Sequence, residues 1–408
     1  MVESKRRRGE IEERSATGAA AGASSSCSDP SASAASASKS WDGEVTDLEQ
    51  RNYFWSYDQL YCQKEMLEDA VRMEAYHKAI KGANAINFDG KVVLDVGSGT
   101  GVLALFAAQA GARKVYAVEA SEAAKLAKRV VAENCLENVV TVVQGTIEQV
   151  DLPEQVDVII SEFMGHFLLR ESMIDSVLYA RDKFLKRGGA IYPSRARMYL
   201  APAFCEGMEL NGTSYSEEMQ KWGHFLAGMR ESYGLDFDCL STDFEKEMQQ
   251  ELHGINQGVE LEPHHLLGPA VCVKEIDLLK ASMDDVKRVS QSFTMDISPE
   301  NLDLKDLSLS AFAGWFSVHF DGSPYNPTLV EVECSNEPSL GLDTHWGQEA
   351  FVLNPPIAVR RGDKVEGHLE MSRSPGNWRL YDVKIDYSIR SAASGQKGWQ
   401  HSGRYHMD

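Results

Sequence analysis

Between residues 92 and 191, short apolar runs alternate with segments of helical character. Four runs are typical of buried strands, VVLDV, KVYAVEAS, VVTVVQG and VDVIISE, and the first two are each followed by an apolar or amphipathic helical pattern. Strands that alternate with helices predict βαβ units and a parallel sheet. This part of the chain is therefore predicted to be a doubly wound, Rossmann-like α/β domain. Its ligand is expected at the carboxyl ends of the strands.

Composition divides the chain of 408 residues into further parts. Residues 1–45 form an Ala/Ser/Gly-rich tail that is predicted to be disordered. Residues 46–191 contain N-terminal helices and the α/β domain. Over 192–408 strands predominate, which predicts a β-sandwich or β-barrel domain. A helical insertion at about 203–250 interrupts that domain, and its apolar stripe indicates either a core or a partner surface.

Charge and cysteine content exclude several classes of protein. The net charge of −20 argues against direct nucleic-acid binding and suits a basic partner, although acidity can also serve solubility alone. Seven scattered cysteines without a C-x-x-C pair indicate a reducing compartment, with neither a disulfide framework nor a metal site. No apolar run is long enough to span a membrane. The basic run Lys5–Arg8 is compatible with a nuclear localisation signal or with a solvated tail.

A glycine-rich turn follows the first predicted strand. LDVGSGTG places Asp95 before three glycines with G-x-G-x-G spacing, Gly97, Gly99 and Gly101. The dinucleotide fingerprint is G-x-G-x-x-G/A, so this loop instead resembles the S-adenosylmethionine loop of class I methyltransferases. Glu119 ends the next strand, where an acid accepts hydrogen bonds from ribose hydroxyls. Together these features predict a nucleoside-type cofactor.

Two glutamates, Glu162 and Glu171, bracket a mostly apolar loop in SEFMGHFLLRE. By itself such a pair is most often exposed loop charge. Three further motifs accompany it: YFWSY at Tyr53–Tyr57, the VLDVGSGTG loop, and THW at Thr344–Trp346. From about residue 48 to 390 the chain resembles the protein arginine methyltransferases, and it is most similar to the plant arginine methyltransferase 10 subgroup.

The resemblance implies a type I enzyme that uses S-adenosylmethionine and forms monomethyl- and asymmetric dimethylarginine. It implies that Glu162 and Glu171 grip the target guanidinium by charge-assisted hydrogen bonds, and that His345 with Asp69 is a route for the proton. The implied cofactor-binding residues are Arg72, Asp95, Gly97, Gly99, Gly101, Glu119, Glu148, Tyr57 and Gln63. The implied substrate-binding residues are Tyr53, Met66, Met164 and Trp346.

The resemblance also implies partners and a location. The helical insertion falls where the family has a dimerisation arm, so a homodimer is expected. Expected substrates are basic proteins with Gly/Arg-rich or histone-like arginine sites, in the cytoplasm and the nucleus. One position departs from the family: Gln63 stands where many members have histidine, and a glutamine cannot titrate.

Two other functions remain compatible with the residues. One is a class I methyltransferase that acts on a small molecule. The other is a non-catalytic scaffold that binds cofactor and recruits partners through the insertion and the tail. The paired glutamates and the THW motif count against both, because neither function requires them.

Overall fold

The computed structural model describes residues 47–82, 85–204, 215–253, 257–299, 307–323, 326–335 and 344–407. The predicted disordered tail, residues 1–45, lies outside these ranges. In the described part of the chain, no helix combines the length and apolar character required to cross a membrane.

Three helices precede the first strand: α1 Asp47–Asp58, α2 Leu60–Glu68 and α3 Ala70–Lys81. The sequence predicts helix throughout this segment, and the structure interrupts it at Gln59 and Asp69, both of which have extended backbones. Asp69 caps α3 by accepting a hydrogen bond from the backbone N–H of Arg72. The break therefore has a local cause that also fixes the direction of a carboxylate.

The next part confirms the predicted parallel sheet. Five strands pair in the order β3-β2-β1-β4-β5, and every pairing is parallel. The strands are β1 Val92–Val96, β2 Lys114–Glu119, β3 Val140–Gln144, β4 Val156–Ser161 and β5 Leu185–Tyr192; the helices are α4 Val102–Gln109, α5 Ala123–Glu133 and α6 Ile174–Phe184. All of β1 is buried, in keeping with a sequence that is apolar except for Asp95. The order of the strands reverses between β1 and β4, and a ligand is expected at that point.

Antiparallel strands form the rest of the described chain, as predicted. One sheet has the order β7-β12-β10-β6-β8, with β11 also paired to β10, and a second has the order β15-β14-β13-β9. The strands are β6 Arg195–Ala203, β7 Gln257–Val259, β8 Val271–Asp277, β9 Arg288–Asp296, β10 Leu307–Ser323, β11 Asn326–Glu333, β12 Gln348–Val359, β13 Lys364–Arg373, β14 Tyr381–Arg390 and β15 Lys397–Met407; a short helix, α9 Met283–Lys287, precedes β9. Val383, Ile385 and Tyr387 of β14 are buried, in keeping with their alternation in the sequence.

Two helices, α7 Tyr215–Tyr233 and α8 Ser241–His253, lie between β6 and β7. They correspond to the predicted insertion. Trp222 of α7 stacks on Phe244 of α8 with 4.2 Å between ring centroids, and its indole N–H donates to Ser241. Part of the apolar stripe therefore packs within the insertion itself. Other apolar side chains remain exposed, among them Tyr233, which is 71% exposed.

The parallel sheet and the antiparallel sheets share buried contacts. The ring of Tyr76 in α3 packs edge-on against Phe320 of β10. The ring of Phe167, in the loop after β4, packs against Phe351 of β12 and leaves no room for a side chain at Gly314. The loop that carries the two glutamates is thus pressed against the second domain.

Candidate active site

The glycine loop lies at the carboxyl end of β1. Gly97 and Gly99 both have positive φ, 70° and 52°. A Cβ on Gly97 would lie 2.6 Å from Cε of Met173, and one on Gly99 would lie 2.7 Å from Oε1 of Gln63. The positive φ angles favour glycine at both positions, and a side chain at either would have to displace the end of Met173 or of Gln63. The nearby Gly101 also has positive φ and precedes α4.

Glu119 holds this loop in place from the end of β2. Its Oε2 accepts a 2.7 Å hydrogen bond from the N–H of Gly99, and its Oε1 accepts one of 2.7 Å from Ser121. The side chain is buried. Glu119 therefore lies where the sequence places an acid for ribose hydroxyls, and it also shapes the loop.

Asp95 is completely buried, and its Oδ2 accepts a 3.0 Å hydrogen bond from the N–H of Ala104 in α4. Burial raises the pKa of Asp95 to about 8; the Ala104 hydrogen bond opposes this rise and the Glu119 charge adds to it. The side chain links β1 to α4. Its predicted contact with the cofactor stays a prediction.

Arg72 is buried at the start of α3 and contacts Glu162. Its Nη1 donates to the carbonyl of Met66 at 2.8 Å, and its Nη2 lies 3.2 Å from Oε2 of Glu162. Its Nε has no hydrogen-bond partner among the described residues. A buried guanidinium with an unused donor suits an anionic group such as the carboxylate of an amino acid.

Gln63 and Glu148 complete the predicted cofactor set. Gln63 is buried against Gly99, and its Nε2 donates to the carbonyl of Tyr57 at 2.9 Å. Glu148 accepts a 2.8 Å hydrogen bond from Ser176 of α6. Glycines without room for side chains, a buried acid and an unsatisfied guanidinium nitrogen together fit a cofactor that carries both a nucleoside and an amino acid.

The loop from Glu162 to Glu171, called here the double-glutamate loop, has a strained backbone at its end. Two pairs of adjacent non-glycine residues at the end of this loop have positive φ angles: Phe167 with Leu168, and Glu171 with Ser172. A Cβ on Gly165 would lie 2.0 Å from the carbonyl oxygen of Arg170, so the chain passes very close to itself. Non-glycine residues in this conformation each cost about 1–3 kcal/mol and are found most often at functional sites.

The carboxylates at the two ends have different partners. Oε1 of Glu162 accepts a 3.1 Å hydrogen bond from the N–H of Met164, and its Oε2 faces Arg72. Oε2 of Glu171 accepts a 2.5 Å hydrogen bond from the hydroxyl of Tyr57. Burial and the charge of Glu171 raise the pKa of Tyr53 well above its ordinary value, so this tyrosine stays protonated. Both tyrosines of the YFWSY motif thus lie near Glu171.

The structure brings His345 and Asp69 together, as the sequence predicts. Nδ1 of His345 lies 2.7 Å from Oδ2 of Asp69, and the backbone N–H of His345 donates to the same oxygen at 3.1 Å. Burial acts to raise the pKa of Asp69, but the hydrogen bonds from His345 and from the N–H of Arg72 outweigh it and lower the pKa. Asp69 is therefore a charged acceptor that orients the imidazole.

Trp346 connects the THW motif to the double-glutamate loop by a hydrogen bond. Its indole N–H donates to the carbonyl of Met164 at 2.9 Å, and its ring contacts His345 with centroids 4.0 Å apart. The residue is only 5% exposed, so it offers little surface to a substrate. Its predicted place beside the target arginine stays a prediction, as do the substrate contacts of Met66 and Met164.

Sequence reasoning missed one residue of this region. The backbone carbonyl of Arg379, in the turn between β13 and β14, accepts a 2.7 Å hydrogen bond from the N–H of Glu171, and Nη1 of Arg379 donates to the carbonyl of Glu171 at 3.0 Å. The residues SPGN that precede it in the sequence predict only a turn. An arginine after a turn is an ordinary surface residue in most sequences, so no strong signal was present.

No cluster of three or more histidine, cysteine or acidic side chains that could hold a metal ion occurs in the described ranges. Asp69, Glu162 and Glu171 are each engaged by nitrogen or hydroxyl donors instead. The arrangement can therefore bind a cation and transfer protons by hydrogen bonds.

Comparisons with known proteins identify this combination of domains. Residues 93–189 match the family model of a methyltransferase domain, and residues 195–392 match that of the arginine methyltransferase oligomerization subdomain. The chain is 45% identical over 352 residues to protein arginine N-methyltransferase PRMT10 of Oryza sativa subsp. japonica, covering 86% of this chain and 90% of that protein. It is 42% identical to the PRMT10 of Arabidopsis thaliana over 86% of this chain and 90% of that protein.

A solved structure agrees with these relatives. The crystal structure of Arabidopsis thaliana protein arginine methyltransferase 10 superposes with a TM-score of 0.80 at 40% identity, over 87% of this chain and all of that chain. A parallel sheet with a glycine loop at its switch point, followed by an antiparallel β-domain, defines a two-domain methyltransferase. The chain belongs to the protein arginine N-methyltransferase family.

Proposed function

We propose that this protein transfers methyl groups from S-adenosylmethionine to guanidino nitrogens of arginine in protein substrates, and that it is a type I enzyme. The observation that carries the proposal is the pair of carboxylates, Glu162 and Glu171, at the two ends of a strained loop beside the switch point of the parallel sheet. Strain of this kind persists only where the surrounding structure imposes it. A solvated surface loop would relax.

S-adenosylmethionine, when bound, supplies an electrophilic methyl group on a positively charged sulfur. The residues that would hold it are the glycine loop, Arg72 for the carboxylate, Glu119 for the ribose and Glu148 for the adenine amino group. Gln63 covers the loop at Gly99 and hydrogen-bonds Tyr57, so it joins the cofactor side of the site to the substrate side.

The two carboxylates orient the target. An arginine guanidinium is planar, remains charged at neutral pH and is a weak nucleophile. Carboxylates bind it through paired, charge-assisted hydrogen bonds, so Glu162 and Glu171 together fix its plane and leave one terminal nitrogen directed toward the methyl group. Such orientation can supply a large share of the rate enhancement, up to about 7–11 kcal/mol of the barrier. Tyr57 holds the carboxylate of Glu171 ready for this contact.

Each transfer would form a bond from a guanidino nitrogen to the methyl carbon while the bond from that carbon to the sulfonium sulfur breaks and leaves its electron pair on the sulfur; the methylated nitrogen would then release one proton. His345 is the proposed acceptor, because its Nδ1 is fixed by the charged Asp69 and its ring lies beside Trp346. Asp69 holds the imidazole in one orientation. The glutamates can then keep their charge and their grip on the guanidinium.

The products are proposed to be monomethyl- and asymmetric dimethylarginine. The support is the pair Met66 and Met164, whose flexible, unbranched side chains can leave room for a second methyl group on the same nitrogen. Substrates are proposed to be basic proteins with Gly/Arg-rich or histone-like sites. The oligomer expected from the subdomain match is proposed to be a homodimer formed through the helical insertion.

The test is methylation of a glycine–arginine-rich peptide with labelled S-adenosylmethionine, followed by amino-acid analysis. The unaltered protein should form asymmetric dimethylarginine, whereas Glu162→Gln and Glu171→Gln should each lower kcat at least about 100-fold and leave cofactor binding intact. Formation of symmetric dimethylarginine would contradict the proposal that the protein is a type I enzyme. Cofactor binding without arginine methylation on any basic peptide would contradict the activity, in favour of a scaffold or of a small-molecule methyltransferase.

A further inference from the structure

Arg379 is a buried cation that joins three elements around Glu171. It lies in the turn between β13 and β14 and is 8% exposed. Its guanidinium carbon is 3.7 Å from the centroid of the Tyr53 ring in α1 and 4.6 Å from that of Trp378. Phe54 lies farther away, at 5.5 Å. A cation between aromatic faces is held by electrostatic attraction that grows when water is excluded.

The same residue holds the backbone of Glu171 on both sides. The N–H of Glu171 donates to the carbonyl of Arg379 at 2.7 Å, and Nη1 of Arg379 donates to the carbonyl of Glu171 at 3.0 Å. Next to it, the hydroxyl of Ser172 donates to the carbonyl of Trp378 at 2.9 Å. These three hydrogen bonds are made by Glu171 and Ser172, whose φ angles are 77° and 56°.

The strained backbone at Glu171 is therefore stabilised by identifiable contacts. Left to itself, a glutamate and a serine would leave the left-handed region, because Cβ crowds the backbone there. A peptide flip at this point would redirect the carboxylate of Glu171 away from the hydroxyl of Tyr57 that now donates to it. The fixed turn from the second domain prevents that relaxation, and the stack on Tyr53 adds α1 to the same support.

We infer that Arg379 is a positioning residue for arginine methylation: it holds Glu171 in its strained conformation and ties α1 over the substrate side of the site. The inference rests on the proposed function. Arg379 acts through Glu171, because its Nη1 donates to the Glu171 carbonyl and its guanidinium lies against the rings of Tyr53 and Trp378; its Nε has no hydrogen-bond partner among the described residues. It affects the direction of the Glu171 carboxylate and the position of α1.

The experiment compares Arg379→Met and Arg379→Lys with Arg181→Met. Arg181 is a matched control, since it too is largely buried and donates to two carbonyls across the domains, those of Leu278 and Ala281 at 2.8 and 2.6 Å, but it does not contact Glu171. Rates would be measured with a glycine–arginine-rich peptide, and affinity for S-adenosylmethionine by calorimetry.

Arg379→Met should lower kcat by about 30- to 100-fold, as expected for a misdirected catalytic group, with cofactor affinity within about twofold of the parent. Arg379→Lys keeps a charge and a donor but loses the planar stack, so its kcat should lie between those of the parent and Arg379→Met. Arg181→Met should lose thermal stability without loss of kcat. A kcat of Arg379→Met within about threefold of the parent, or an equal fall in the control, would overturn the inference.

Hydrogen exchange separates this inference from the proposed function. Peptides that cover residues 165–173 should exchange faster in Arg379→Met than in the parent, and at the parental rate in Arg181→Met. If the parent does not methylate arginine, the proposed function is wrong. The exchange result still tests whether Arg379 holds Glu171 in place. Unchanged exchange in Arg379→Met refutes that role whatever the activity.

Discussion

Glu162 and Glu171 reach the same site by different physical means. Glu162 directly follows a regular buried strand, β4, and its carboxylate is engaged by Arg72. Glu171 has a left-handed backbone that the second domain holds in place. The position of Glu162 is thus local, whereas that of Glu171 depends on contacts more than two hundred residues away in the chain.

A buried acid beneath the cofactor loop links stability to pH. Asp95 has a folded-state pKa of about 8, above the value of about 4 expected in an unfolded chain. The folded state therefore holds a proton that the unfolded state has lost, and the free energy of unfolding falls as pH rises from about 4 to about 8.

Replacing Asp95→Asn removes this contribution. The quantity to compare is the fall in the free energy of unfolding between pH 5 and pH 8, measured by urea denaturation without cofactor. We expect this fall to be about 1–3 kcal/mol larger in the parent than in Asp95→Asn. Asp151→Asn serves as the control, because the Asp151 side chain is 93% exposed. Parallel pH profiles for the parent and Asp95→Asn would show that Asp95 is charged in the folded protein.

At the scale of elements, the helical insertion has two apolar faces with different roles. Trp222 contacts Phe225 in the same helix and stacks on Phe244 of α8, so it stabilises α7 against α8. Tyr233 and Leu235 lie at and just after the end of α7 and are largely exposed. An oligomer formed through this insertion would bury the second group, because only exposed apolar area is gained by association.

We therefore expect Tyr233→Glu to convert the proposed homodimer to monomer in sedimentation velocity, while the helical circular dichroism stays unchanged. Trp222→Glu should instead unfold the insertion, since it would bury a charge against Phe244. The control is Leu329→Glu on β11, where the parental side chain is 96% exposed; it should sediment like the parent. A dimeric Tyr233→Glu would contradict this assignment of the interface.

At the scale of the whole molecule, the charge of −20 bears on substrate capture. An acidic protein attracts cationic peptides over a range set by the Debye length, about 10 Å at 0.1 M salt and about 3 Å at 1 M. Added salt should therefore weaken binding of the peptide more than binding of S-adenosylmethionine, because the peptide carries several positive charges whereas the cofactor carries two positive groups and one negative group.

We expect the KM of a glycine–arginine-rich peptide to rise about 5- to 10-fold between 50 and 500 mM NaCl, with kcat nearly constant. A matched peptide whose non-target arginines are replaced by glutamine should show a weaker dependence. If both peptides respond equally to salt, the net charge serves solubility and not capture.

The sequence by itself determined the two-domain architecture, the glycine loop and the two glutamates. These features are local: strand burial follows from apolar runs, and positive φ at Gly97 and Gly99 follows from glycine. The sequence also paired His345 with Asp69, but only through resemblance to a family. Nothing in the spacing of 276 residues predicts their contact.

Only the tertiary structure decided how the catalytic groups are held. The packing of Trp222 within the insertion and the hydrogen bonds between Arg379 and Glu171 depend on elements that meet only after folding. Local propensity favours a relaxed loop at Glu171. Contacts between distant segments outweigh it, because hydrogen bonds made in a buried interface cannot be replaced by water.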